Sequence, residues 1–270
     1  MSYSLAVIGV GNMAKAVISG IQKSDVDVSE IFLFDKNISQ YSELADGKCT
    51  YTRCNSIQSA VSNANCVLIS VKPQNYSEVL EEFCKISNYS EKLYITIGAG
   101  ISVSSVSDAL GGANVIRVLP NLPMTIGNGV SVICKNPAVS SRDFEFVTSL
   151  FSSSGSTLLI EESDMNRIIG VTSSSPAYVF KFIDSIYKSA IAQGLSDEGL
   201  LDAVCDVFIG SALLLKKSSE SPQELISRVA SKGGTTEQAL KVLNDSNIER
   251  IIFDAMIACT NRADELGASK

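Results

Sequence analysis

The 270-residue chain contains no histidine. This absence removes the commonest general base, the usual third member of nucleophilic triads and the commonest transition-metal ligand. The seven cysteines stand singly, without a CxxC pair, and neither they nor the scattered carboxylates have the spacing of metal ligands. We therefore expect chemistry that works without imidazole and without a metal ion.

An excess of basic residues is also missing, since 22 Lys and Arg stand against 29 Asp and Glu, for a formal charge of -7. An acidic chain repels nucleic acid and anionic lipid, so neither is an expected partner. No apolar run reaches the ~18 to 20 residues of a membrane span, and the first residues lack the pattern of a secretion signal. Together with single, reduced cysteines, these features predict a cytoplasmic protein.

The first part of the chain has the pattern of an α/β domain. Apolar runs typical of β-strands alternate with amphipathic stretches up to about residue 160, which predicts a parallel sheet with crossover helices. The runs begin at Leu5, Ile31, Cys66, Leu93, Asn114, Gly129 and Ser156, and the last two flank a predicted helix over residues 140–151. An α/β domain is therefore predicted over residues 1–161.

After about Glu162 no strand-like run recurs, and the apolar residues follow the helical period of 3.6. Val179, Phe182 and Ile186 lie on one face of a helix that Gly194 ends. Further helices are predicted after Ser196, from the Ser221-Pro222-Gln223-Glu224 capping box, from Gly233–Thr236 and over residues 247–266. An all-α domain is therefore predicted over residues 162–270.

A glycine-rich segment, Gly9-Val10-Gly11-Asn12-Met13-Ala14, directly follows the first predicted strand and opens a helix. It matches the G-x-G-x-x-G/A fingerprint, which lets the backbone turn tightly and approach a pyrophosphate at the helix N-terminus. Asp35 ends the second strand, where a carboxylate can accept from the adenosine ribose 2'-hydroxyl and favour NADH. Lys36 can offset repulsion of a 2'-phosphate, and a surface turn is the alternative for both. The segment predicts a Rossmann domain that binds NADPH or NADH.

Three loops follow later strands, with the sequences Val71-Lys72-Pro73, Thr96-Ile97-Gly98-Ala99-Gly100 and Arg117-Val118-Leu119-Pro120-Asn121-Leu122-Pro123. In an open α/β sheet the carboxyl ends of the strands line the ligand crevice. Together with GVGNMA before them and SSPAYVF and GGTT after them, these segments resemble the pyrroline-5-carboxylate reductase family. The resemblance extends from Leu5 to about Leu266, and its most specific parts are the loop at Arg117 and the Gly-Gly-Thr-Thr turn.

The resemblance implies an enzyme that reduces 1-pyrroline-5-carboxylate to L-proline with NADPH or NADH, the last step of proline biosynthesis. The predicted cofactor-binding residues are Gly9, Gly11, Asn12, Met13, Asp35, Lys36, Asn55, Val71, Lys72, Pro73 and Ala99. The predicted catalytic residues, which would hold the substrate, are Glu162, Thr235 and Thr236. The helical domain carries more apolar surface than a small bundle can bury, which predicts a homodimer, and the resemblance implies further assembly, up to a decamer of dimers.

Such a reduction moves a hydride to the carbon of a C=N bond, which is most electrophilic when its nitrogen is protonated. A cyclic imine can take this proton from solvent, so the absence of histidine is compatible with the reaction. The Gly233–Thr236 turn offers amide and hydroxyl groups to the substrate's carboxylate, and Glu162 can interact with the protonated ring nitrogen. A plain helix cap is the alternative for the threonines, and a solvated charge is the alternative for Glu162.

The chain also departs from the family pattern. Thr172–Ser175 stands where the family has Ser-Gly-Ser-Gly, Lys232 stands where it has proline, and Arg167 and Ile169 stand in a stretch that is normally Asp-Ala-Val-Thr-like. Two alternatives therefore stay open, a reductase of another cyclic imine and a non-catalytic dinucleotide-binding homologue. A β-hydroxyacid dehydrogenase is a further alternative, although no lysine between residues 166 and 193 has a convincing asparagine partner.

Overall fold

The computed structural model describes residues 2–41, 44 and 47–268. Within these residues an eight-stranded sheet has the strand order β3-β2-β1-β4-β5-β6-β7-β8. The strands are β1 (Tyr3–Ile8), β2 (Val28–Phe34), β3 (Thr50–Arg53), β4 (Cys66–Ile69), β5 (Leu93–Thr96), β6 (Asn114–Leu119), β7 (Gly129–Lys135) and β8 (Gly155–Leu159). All neighbouring strands are parallel except β6 and β7. The predicted α/β class is confirmed.

Two features of the sheet differ from the prediction. The edge strand β3, with the sequence Thr-Tyr-Thr-Arg, was not predicted, because it is short, largely exposed and has no apolar run. The pair β6 and β7 is antiparallel, whereas the alternating pattern predicts parallel strands. Only residues 120–128 join them, which is fewer than the dozen or so residues that a parallel crossover requires.

Helices cover both faces of the sheet. They are α1 (Asn12–Lys23), α2 (Ile57–Ser62), α3 (Tyr76–Cys84), α4 (Val103–Ala109) and α5 (Ser141–Ser152). Leu5 and Val7 of β1 pack in one apolar cluster with α1 and α5, while Ala6 and Ile8 pack in a second cluster with α2, α3 and α4. Successive side chains of a strand point to opposite faces, so β1 contributes to both cores.

The rest of the chain is helical, as predicted. The helices are α6 (Ser175–Ala192), α7 (Leu200–Lys217), α8 (Pro222–Val229), α9 (Thr235–Asp245) and α10 (Ile248–Ala268). The capping box between Ser221 and Glu224 is confirmed, with Pro222 in the first turn. Helix α7, predicted to start after Ser196, begins at Leu200, with Gly199 at a φ of 70° as its N-cap. None of the described helices combines the length and the apolar composition that a membrane span needs.

The chain forms two compact units. The first contains the described residues up to Ser174 together with those from Ile257 onward, and the second is Ser175–Met256. The predicted boundary at residues 161 and 162 lies inside the first unit, because Met165 is fully buried in the apolar cluster beside α2, α3 and α4. Helix α10 consequently contributes residues to both units.

Candidate active site

The turn between β1 and α1 is shaped by two glycines. Gly9 has a φ of 92°, and a Cβ atom there would lie 2.7 Å from the Ser70 carbonyl oxygen, so only glycine fits. Gly11 is the N-cap of α1, and a Cβ atom there would meet nothing within 4 Å. The backbone of Gly11 is therefore open to a ligand at the positive end of a helix, as the binding of a pyrophosphate requires.

A cavity of about 460 Å³ opens at this turn. It brings together several predicted cofactor-binding residues, namely Gly9, Gly11, Asp35, Lys36, Val71 and Lys72. Asn12 and Met13 begin α1, and Pro73 begins the short helix Pro73–Asn75 directly after Lys72. Asn55 and Ala99 do not line the cavity, but they follow β3 and β5 and therefore lie at the same, carboxyl edge of the sheet.

The Asp35 carboxylate supports the glycine-rich turn. Its Oδ2 atom accepts from the Val10 amide at 2.7 Å, and its Oδ1 atom accepts from the Asn37 amide at 2.7 Å. An ionised carboxylate has about four acceptor sites, so Asp35 can still accept from a ribose hydroxyl. The ribose contact stays a prediction, and Asp35 has a structural role that its position in the sequence did not indicate.

Lys36 forms an ion pair that was not predicted from the sequence. Its Nζ atom lies 2.7 Å from Oε1 of Glu78 in the first turn of α3, and both side chains line the cavity. The two side chains are 69% and 60% exposed. The charged residues that line the described cavity are therefore Asp35, Lys36, Lys72 and Glu78, and their formal charges sum to zero.

Glu162 is held by a buried arginine. The side chain of Arg117 in β6 is 3% exposed, and its Nη1 atom lies 3.6 Å from Oε1 of Glu162, which also accepts from the Val103 amide at 2.5 Å. The Nη2 atom of Arg117 donates to Asn166 Oδ1 at 2.9 Å, and Asn166 Nδ2 donates to Asp264 Oδ1 at 2.7 Å. Burial lowers the pKa of the Arg117 guanidinium, while the Glu162 carboxylate raises it. The predicted catalytic carboxylate thus has two partners within the first unit.

Thr235 and Thr236 open helix α9 in the helical unit. Gly234 is the N-cap of α9, so both threonines lie inside its first turn and neither caps it. Thr236 is half-buried and Thr235 is exposed. The amides of a first turn have no acceptor within their own helix, and the helix dipole makes this end positive. The Gly233 amide before this turn donates to Oε2 of Glu237 at 2.8 Å, so the groups that can bind an anion, as the sequence suggests for the substrate's carboxylate, are those of Thr235 and Thr236.

The loop at Arg117 and the altered segment at Thr172 are joined by Asn121. This asparagine is buried, its Nδ2 atom donates to the Thr172 carbonyl at 3.1 Å, and its Oδ1 atom accepts from the Val130 amide at 2.8 Å. Within the same segment, Ser174 Oγ accepts from Cys259 Sγ of α10 at 3.6 Å. The segment that departs from the family pattern is therefore tied to both β7 and the last helix.

The fold and the cavity define the class of the protein. A glycine-rich turn at the central strand, a cavity at the carboxyl edge and an acidic residue after β2 form an NAD(P)-binding Rossmann domain of an oxidoreductase. Residues 4–100 match the family model described as "NADP oxidoreductase coenzyme F420-dependent", and residues 162–266 match "Pyrroline-5-carboxylate reductase dimerisation".

Individual members of one enzyme family resemble the chain over nearly its full length. The chain is 31% identical to the pyrroline-5-carboxylate reductase of Corynebacterium melassecola over 98% of each chain, and 33% identical to that of Vibrio alginolyticus over 97% of each. The crystal structure of Plasmodium falciparum pyrroline carboxylate reductase with NADP bound matches 98% of each chain with a TM-score of 0.84 and 25% identity. The chain belongs to the pyrroline-5-carboxylate reductase family.

Proposed function

We propose that this chain reduces 1-pyrroline-5-carboxylate to L-proline with NADPH or NADH. The observation that carries the proposal is the likeness to pyrroline-5-carboxylate reductases over both units, at 31% identity across 98% of the chain. The open backbone at Gly11 and the cavity beside it fit a dinucleotide, whose nicotinamide supplies the hydride when it is bound.

The residues of the chain have to hold the ring and do not have to supply a strong acid. The amides and hydroxyls at the start of α9 bind the substrate's carboxylate, and Thr236 contributes a hydrogen bond that orients the ring. Glu162 is the group proposed to interact with the protonated ring nitrogen, because the Arg117 guanidinium and the Val103 amide leave some of its acceptor sites free. The imine nitrogen takes its proton from solvent, so no histidine is needed.

The test is proline formation by the purified chain with either cofactor. We expect cofactor oxidation at 340 nm to match proline formed, with at least one of NADH and NADPH. A Gly11→Val variant, whose side chain would fill the open space beside Gly11, controls for contaminating host enzyme and should be inactive. Binding of a dinucleotide without turnover would instead favour a non-catalytic homologue. A higher kcat/KM with a six-membered cyclic imino acid would favour another imine as the substrate.

The helical unit is proposed to form a homodimer. Large apolar side chains are exposed along its helices, among them Phe180 at 55%, Val207 at 65% and Phe253 at 54%. Apolar surface of this kind is normally covered by a partner, and the family model that matches this unit describes dimerisation. Light scattering at micromolar concentration should give at least twice the mass of the chain, whereas a monodisperse monomer would contradict the proposal. Assembly beyond the dimer and a cytoplasmic location stay predictions.

A further inference from the structure

The end of the cavity next to β2 carries three neighbouring charges. Asp35 and Lys36 are adjacent in the chain, and Lys36 is in contact with Glu78 at 2.7 Å. The remaining basic side chain that lines the described cavity, Lys72, follows β4 and not β2. The group of Asp35, Lys36 and Glu78 therefore has one positive and two negative charges, and its only ammonium is already bound to a carboxylate.

This arrangement matters for the choice between the two reduced dinucleotides. NADPH differs from NADH by a 2'-phosphate, and a phosphate monoester carries a charge of roughly -1.5 to -2 at pH 7. In Rossmann domains this group lies near the residue that ends the second strand. Lys36 can bind it only by leaving Glu78, or by sharing its ammonium with Glu78 and holding that carboxylate near the phosphate. Both routes cost free energy when NADPH binds. NADH has a ribose hydroxyl in place of the phosphate, so its binding carries no such cost.

We infer that Glu78 is a specificity-determining residue that, by holding Lys36, weakens the binding of NADPH relative to NADH. The inference rests on the proposed function, because it takes the cavity beside Gly11 as the cofactor site. Both side chains are more than half exposed, so the pair contributes little to folding stability. Glu78 can therefore be replaced without loss of the fold, and its effect can be measured on binding alone.

The experiment is a comparison of dissociation constants for NADH and NADPH, measured from the fluorescence of the reduced nicotinamide at low ionic strength. In Glu78→Gln the ratio Kd(NADH)/Kd(NADPH) should rise by about tenfold, as expected for a phosphate that gains a free ammonium and loses a nearby carboxylate in a solvent-exposed site. The rise should shrink at high salt, because exposed charges are screened. An unchanged ratio would overturn the inference.

Glu82→Gln is the matched control. Glu82 lies on the same helix and pairs with Lys85, and neither of these residues lines the cavity. The substitution removes the same charge from α3, but away from the cavity. The ratio Kd(NADH)/Kd(NADPH) of this variant should therefore equal that of the parent chain. A rise as large as that of Glu78→Gln would show a general effect of charge and would overturn the specific role of Glu78.

Making Glu78→Gln in a chain that already carries Lys36→Gln tests whether the effect of Glu78 depends on Lys36. If Glu78 acts mainly by holding this ammonium, most of the gain from Glu78→Gln should disappear when it is made in Lys36→Gln, and only the smaller part that comes from removing the carboxylate should remain. A gain that persists at full size in that background would overturn the action through Lys36. Failure of the parent chain to bind either dinucleotide would overturn the cofactor site and this inference together. Intact binding without proline formation would overturn only the proposed function.

Discussion

Replacing Thr236 with alanine should lower kcat/KM for 1-pyrroline-5-carboxylate by roughly tenfold to a thousandfold, at ~1.4 kcal/mol per tenfold. The physical reason is that its hydroxyl would otherwise orient the ring for hydride transfer, and an unpaired buried polar group costs ~1 to 3 kcal/mol. NADH affinity should barely change. Steady-state rates and thermal melting, measured on the same preparation, give both quantities.

Ser221→Ala is the control for a purely structural effect. Ser221 is a true N-cap in the same helical unit, with its hydroxyl accepting from the Glu224 amide, so its loss should cost ~1 kcal/mol of stability and leave kcat/KM near normal. Thr236 lies after the N-cap Gly234, so no such loss of stability is expected from Thr236→Ala. A lower melting temperature with unaltered kcat/KM would remove Thr236 from the active site.

Replacing Glu162 with glutamine should lower the free energy of unfolding by about 3 kcal/mol, because it leaves the buried Arg117 guanidinium without a counter-charge. The value is at the lower end of the usual range, since the Glu162 side chain is 34% exposed while that of Arg117 is 3% exposed. The amide oxygen of glutamine can still accept from the Val103 amide, so the charge alone is tested. Chemical unfolding at one fixed protein concentration measures the loss, because the apparent stability of the proposed dimer would depend on concentration.

Arg117→Met supplies the complementary measurement. This substitution removes the buried charge and leaves a carboxylate that water can reach. It should therefore lower the free energy of unfolding by less than half as much as Glu162→Gln does. The double variant should be more stable than Glu162→Gln alone, because neither charge then remains unpaired. If the Glu162→Gln variant instead has the unfolding free energy of the parent chain but loses activity, the carboxylate interacts with the substrate and is not needed as the counter-charge of the Arg117 guanidinium.

Much of the fold could be predicted from the sequence because its strands are buried and apolar. The runs at Leu5, Cys66 and Leu93 became neighbouring parallel strands, and the capping box at Ser221 starts a helix where the side-chain chemistry requires it. Strand β3 could not be recognised, because an exposed edge strand needs no apolar pattern. The antiparallel pairing of β7 depends on the length of the connection before it, which hydrophobic periodicity does not report.

The candidate site was predictable where a backbone requirement fixes the residue type. Gly9 is recognisable because its positive φ and its approach to Ser70 exclude a side chain. The partners of Asp35, Lys36 and Glu162 were not predictable. Val10 and Arg117 lie in recognised motifs, but those motifs do not indicate these contacts, and Glu78 lies in no motif. All three meet their partners only through tertiary packing. Side-chain pairs that are distant in the chain leave no local pattern to detect.

Helix α10 has residues in both units, so the first unit can be completed only after the second has been synthesised. Residues after Ile257 belong to the unit that begins at the N-terminus, where Asp264 accepts from Asn166 and the backbone around Gly267 lies close to Gly100. During synthesis, the ribosome releases the eight strands long before it makes this segment. The contacts that residues from Ile257 onward make in the first unit can therefore form only after the whole helical unit has been translated. A chain interrupted inside the helical unit would therefore also lack the part of the first unit that begins at Ile257.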